Sequence, residues 1–103
     1  MRGRLTKEVQ TLAVCTMGRD ITTTELHLMP YLQYVLMNSQ KIEPIKINPE
    51  ELEILTGWAK KEYITMSNDF KITIQKYFWD MINNILYQSY VLQEGTPIKE
   101  VTN

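Results

Sequence analysis

Between Tyr63 and Ile74 the hydrophobic period of this chain switches from about 3.6 residues to two, and that switch limits the fold more than any other feature. Ile64 and Met66 flank Thr65, and Phe70, Ile72 and Ile74 alternate with Lys71 and Thr73, around the polar cluster Ser67-Asn68-Asp69. Two short strands and a tight turn account for that pattern. A two-residue Asn68-Asp69 loop would oppose Met66 to Lys71 and Ile64 to Thr73, mixing the faces. A three-residue loop, Ser67 to Asp69, opposes Met66 to Phe70 and Ile64 to Ile72 and keeps one face apolar. The second register is expected, with Asn68 or Asp69 in the left-handed position.

The remainder carries helical spacing. Leu5, Val9, Leu12, Ala13 and Met17 recur as one face, and Gly18 stands where a left-handed C-terminal cap belongs, so a first helix is expected near Leu5 to Met17. Thr22 and Glu25 match the capping box ahead of Leu26, Leu28 and Met29. Pro30 then either kinks one long helix or starts a second after a short one, and Leu32, Val35 and Leu36 carry the apolar set on to Asn38. Lys41 to Ile47 alternates around Pro44 and is expected to be extended, at an edge or in a loop. Asn48-Pro49-Glu50-Glu51 starts a helix that should reach Lys61, with Asn as cap, Pro at the first position and two acids at the positive end.

Gln75 to Leu92 is expected to be the final helix. At ~100° per residue, Phe78, Trp79, Met81, Ile82, Ile85, Leu86, Tyr90 and Leu92 cover an apolar arc of roughly 180°, wider than one core requires. Such a helix is either packed on two sides or presents a contact surface, for which Trp79, Ile82, Leu86 and Tyr90 are the candidates. Asp80, Asn83, Asn84 and Gln88 mark its wet side. One domain over residues 1–92, with a flexible tail over 93–103, follows from the absence of any linker or repeat.

Chemistry-bearing constellations are missing from the sequence. The formal net charge is −1, so no global field draws polyanions, and any nucleic-acid contact must be local. Cys15, the single cysteine, sits among Leu12, Val14 and Met17 and is expected to be buried and inert, in a reducing compartment. His27 is the only histidine and has no partner at metal-ligand spacing, and four scattered glycines make no phosphate-binding loop. No metal, cofactor, small-molecule ligand or catalytic residue is therefore expected. Without a signal peptide or an apolar run of ~20 residues, the expected location is cytoplasmic and away from membranes.

In its second half the chain resembles the winged helix-turn-helix superfamily. The stretch Leu52-x-x-Leu55-x-x-Trp58-x-x-Lys61-x-Tyr63-Ile64, followed by a hairpin and a C-terminal helix, is similar to that superfamily's third helix and wing. The resemblance covers Thr22 to Val91 and implies a mainly α architecture of four to five helices plus a wing hairpin. It further implies a small regulatory module with Asn48 to Lys61 in the major groove of DNA. On that reading Lys60, Lys61, Asn68 and Lys71 would meet nucleic acid. Glu50, Glu51 and Glu53 crowd the leading end of the helix, where phosphate repulsion is greatest, and the tip Ser67 to Lys71 is charge-neutral. The same architecture therefore also suits a protein-interaction adapter or inhibitor that does not touch DNA. In either case the C-terminal helix is expected to pair with a second copy, as a homodimer, or with another protein.

Overall fold

The computed structural model describes residues 4–92, so the tail expected over 93–103 lies outside the described residues. Four α-helices and one antiparallel hairpin make a mainly α, α+β fold: α1 Lys7–Met17, α2 Thr23–Met37, α3 Pro49–Lys60, β1 Ile64–Met66, β2 Ile72–Ile74 and α4 Lys76–Leu86. The first three helices each start where a side chain can satisfy orphan amides, whereas α4 begins at Gln75 without a side-chain cap. The Thr6 hydroxyl accepts the amide of Val9, and Thr22 with Glu25 and Asn48 with Glu51 form reciprocal capping boxes. Gly18, at φ 78°, closes α1 in the left-handed conformation that glycine adopts without strain.

α2 runs unbroken through Pro30. The missing amide and the ring clash cost ~3 kcal/mol. Against this, Leu26, Leu28, Met29, Leu32 and Val35 are buried on both sides of the proline, each contributing about 1.5–3 kcal/mol. Burial decides the contest, and the helix is one piece. The segment expected to be extended instead forms a 3-10 turn at Pro44–Lys46, with the amide of Lys46 donating to Glu43 at 2.8 Å. Proline's fixed φ suits the first residue of such a turn, and the turn throws Ile45 into solvent. Only Ile42 keeps a strand-like role: it is buried and its amide donates to the carbonyl of Phe70 at 2.9 Å.

The hairpin departs from the expected register. Ile64 faces Ile74, Thr65 faces Thr73 and Met66 faces Ile72. The connection is a three-residue loop displaced by one position, Asn68 to Phe70, closed by the Ser67 amide donating to Lys71 at 3.0 Å. Phe70, not Asn68 or Asp69, takes the left-handed position, at φ 66°. Ser67 explains the displacement. Its carbonyl accepts the Phe70 amide, and its hydroxyl both accepts the Lys71 amide and bonds to Asp69, so the turn is built from Ser67 forward. The displacement changes the pairing by two, so Ile64, Met66 and Ile72 still share the inner face, now joined by Ile74 rather than Phe70.

The core lies where α4 meets both α1 and α2. Phe78, Met81, Ile82, Ile85 and Leu86 are all buried there. Trp58, from α3, meets Phe78 edge-on at 5.1 Å between ring centres, and Tyr63 stacks on Phe78 at 4.7 Å, which joins helix, hairpin and final helix. After Leu86 the chain widens into a π-helical turn, Tyr87–Leu92, instead of continuing as an α-helix. Cys15 is exposed, correcting the expectation that it is buried. α1 turns Val9 and Ala13 inward, and a residue two positions after Ala13 lies about 200° round the helix, on the opposite side.

Candidate functional site

Three surfaces can be built from the described residues. The first is the outer face of α3 with the hairpin tip. Lys60, Lys61, Asn68 and Lys71 are all exposed, but β1, a strand of three residues and about 10 Å, separates the two lysines after α3 from the tip. Glu50 and Glu53 share the exposed side of α3. At the tip, Lys41 pairs with Asp69 at 2.8 Å. That pairing, with a hydrogen bond from Ser67, holds the Asp69 carboxyl down at about 2. These contacts leave a mixed-charge surface in place of a basic stripe.

The second is a cavity of about 500 Å³ between the α1–α2 connection and α3, walled by Met17, Arg19, Glu25, Glu53, Trp58 and Lys61 among others. Glu25 is buried. Arg19 Nη1 and Nη2 donate to its two oxygens at 3.0 and 2.8 Å, the Thr22 amide to Oε1 at 2.9 Å and Trp58 Nε1 to Oε2 at 3.1 Å. Burial alone would raise this carboxyl, but the bonds from Arg19, Thr22 and Trp58 outweigh it and set it below the ordinary value. A carboxylate has about four lone-pair sites, and here four donors occupy them. Glu25 therefore joins the α1–α2 connection, α2 and α3, and its lone pairs are taken up by these donors. Its capping role is legible in Thr22-x-x-Glu25, whereas its bond to Trp58, a residue of another helix, has no signal in sequence spacing.

The third surface is a groove of about 310 Å³ between α2 and the end of α4, lined by Pro30, Gln33, Asn83, Leu86, Tyr87 and Tyr90. No lining residue is charged. Gln33 Nε2 donates to Asn83 Oδ1 at 2.7 Å and Asn83 Nδ2 to the carbonyl of Trp79 at 2.9 Å, so the amides that cross the groove are fixed in place. Along α2, Tyr34 follows Pro30 and Met37 follows Gln33 by one turn, and these side chains are 51% and 68% exposed; Tyr87 is 52% exposed.

This arrangement corrects the expected contact surface. Ile82 and Leu86 are core residues, Trp79 and Tyr90 are half-buried, and the stripe they would form is mostly covered by α1 and α2. Of the four, Leu86 and Tyr90 reach the groove. Pro30, Gln33, Tyr34 and Met37, on α2, were not among the residues expected to form a contact surface. In sequence, Pro30, Tyr34 and Met37 recur at helical spacing with the polar Gln33 between them, beside the stripe that enters the core.

Among the described residues no group of three or more His, Cys, Asp or Glu side chains is placed to hold a metal ion, and no helix is long and apolar enough to cross a membrane. Comparison with protein-family models, curated proteins and solved structures finds no match.

Proposed function

We propose that this chain is a small, non-enzymatic, cytoplasmic binding domain on a winged-helix-like scaffold, and that its partner is protein, met through the face shared by α2 and the end of α4. The observation that carries this reading is the uncharged groove with Tyr34, Met37 and Tyr87 standing around it at about half exposure or more. Aromatic residues and methionine are enriched, and charges depleted, at the centres of protein interfaces. Val14, Ile45, Leu52 and Tyr77 are exposed as well, but each comes from a different element, and single exposed apolar residues are ordinary.

DNA association is the second reading, favoured by one observation, the hairpin that follows α3 in the order a wing follows a third helix. Glu50 and Glu53 on the exposed side of α3 argue against it. A labelled random-sequence duplex titrated at low salt and followed by anisotropy separates the two. The expected result is no binding. Binding that weakens when Lys60, Lys61 and Lys71 become alanine, and tightens when Glu50 and Glu53 become glutamine, would overturn the protein-binding reading.

A further inference from the structure

We infer that the cavity between the α1–α2 connection and α3 binds a short zwitterionic peptide, its ammonium end towards Glu53, its carboxylate towards Lys61 and Arg19, and an apolar side chain over Gly57. This face is separate from the α2–α4 groove, and the inference does not rest on the reading above. At about 500 Å³ the cavity falls in the ~300–1,000 Å³ range of small-molecule sites, which combine apolar walls with a few placed polar groups. Along α3 it follows one ridge, Glu53, Gly57 and Lys61, each four residues after the last. The middle of that ridge has no side chain. Glycine weakens a helix interior, and here neither a close neighbour nor a left-handed backbone requires it. What Gly57 supplies is a gap, walled by Met17 and Ile54 and wide enough for an aliphatic side chain to enter.

Charge selects the occupant. Glu53 and Lys61 are exposed and, among the described residues, neither takes part in an ion pair. Arg19, its pKa raised by its bond to Glu25 and to a smaller degree by Tyr63, stands at the end of the cavity where Tyr63 and Lys61 line it. Three of its five N–H groups donate to Asp20 and Glu25, which fixes the guanidinium and leaves two for a ligand. Glu25 itself is saturated by its donors, so the acceptor left to meet a cation is Glu53, at the other end. A ligand of one sign would leave the opposite end unmatched, whereas a zwitterion meets both. Spacing sets its length. Eight residues of α-helix rise about 12 Å, and an extended tripeptide spans about 10 Å. A single amino acid carries both charges on one carbon and cannot reach from end to end.

Heteronuclear NMR titration of the full chain with the free tripeptide Ala-Leu-Ala tests the inference. The amide signals of Ile54, Gly57, Lys61 and Tyr63 should shift and saturate at millimolar peptide, while those of Asn83 and Tyr87 stay in place. Acetylating the peptide's amine, or amidating its carboxyl, should each raise the dissociation constant by about 10-fold. Lys61→Gln alters an exposed side chain and should weaken the free peptide by about fivefold while leaving the amidated peptide's affinity unchanged. Gly57→Leu should fill the gap and abolish the shifts in a chain that remains folded by circular dichroism. No shift up to ~10 mM peptide, blocked peptides that bind as well as the free one, a folded Gly57→Leu variant that binds as before, or shifts confined to the α2–α4 groove would each overturn the inference. The blocked peptides and Lys61→Gln decide it even where Gly57→Leu fails to fold.

Discussion

At the scale of single residues, Glu25 shows how a charge can be kept inside a domain of this size. Four donors surround it, so removing the carboxylate leaves Arg19 and Trp58 Nε1 without their acceptor. Arg19 is half exposed and can be solvated, whereas Trp58 Nε1 is buried and left unpaired, so Glu25→Ala should lower the unfolding free energy by about 1–3 kcal/mol, read from urea denaturation. The same carboxyl should leave a mark on the pH profile. Its pKa is lower in the folded than in the unfolded chain, so the folded state gains stability from it above the ordinary value of 4.5 and loses that gain as pH falls below it and through the folded pKa. Melting midpoints measured from neutral to acid pH should fall in that range, and Glu25→Gln should flatten the fall. Half of this arrangement was legible in advance. The capping box is a local spacing, while Arg19 reaches Glu25 around the α1–α2 connection and Trp58 is 33 positions away, brought there only by packing.

Helices and strands show where periodicity is a sufficient guide and where it fails. α3 was legible from Asn48 to Lys60 because its cap, proline and acids are all local signals. Inside it, Gly57 faces open space, with nothing within 4 Å of where a Cβ would sit. A helix-interior glycine costs about 1 kcal/mol relative to alanine, so Gly57→Ala should raise stability by about that amount in thermal or urea denaturation. The wide apolar arc of α4 was legible, but spacing could not tell a packed side from an exposed one; packing against both α1 and α2 buries Phe78, Met81, Ile82, Ile85 and Leu86. Ile82→Ala and Leu86→Ala should accordingly each cost about 2–5 kcal/mol of stability, whereas an interface role alone would leave the monomer's melting point unchanged. Beyond Leu86 the projection at 100° per residue no longer applies, because the chain changes to a wider turn. The hairpin was foreseen with its inner face nearly right and its loop one residue early, since the side-chain bonds of Ser67 that set the turn lie outside any alternation rule.

Taken as a whole molecule, the chain closes on itself through Ser89. That serine is buried on the π-helical turn, its hydroxyl accepting the amide of Arg4 at 2.7 Å and donating to the carbonyl of Arg4 at 3.0 Å. Ser89→Ala would leave both backbone groups without this partner and should cost about 1–3 kcal/mol, with amide exchange at Arg4 and along the first turn of α1 accelerating more than elsewhere. Nothing in the sequence pointed to this bond, because its ends are 85 positions apart and each looks locally like an ordinary polar residue. It also governs when the molecule can become whole. α1 has its main partners in α4 and the turn that follows, so during synthesis α1 must wait for α4 before its apolar side is covered. Folding of this domain is therefore expected to be late and all-or-none: nascent chains arrested before Ser89 clears the exit tunnel should stay protease-sensitive from α1 onward, and those arrested well after it should become resistant in a single step.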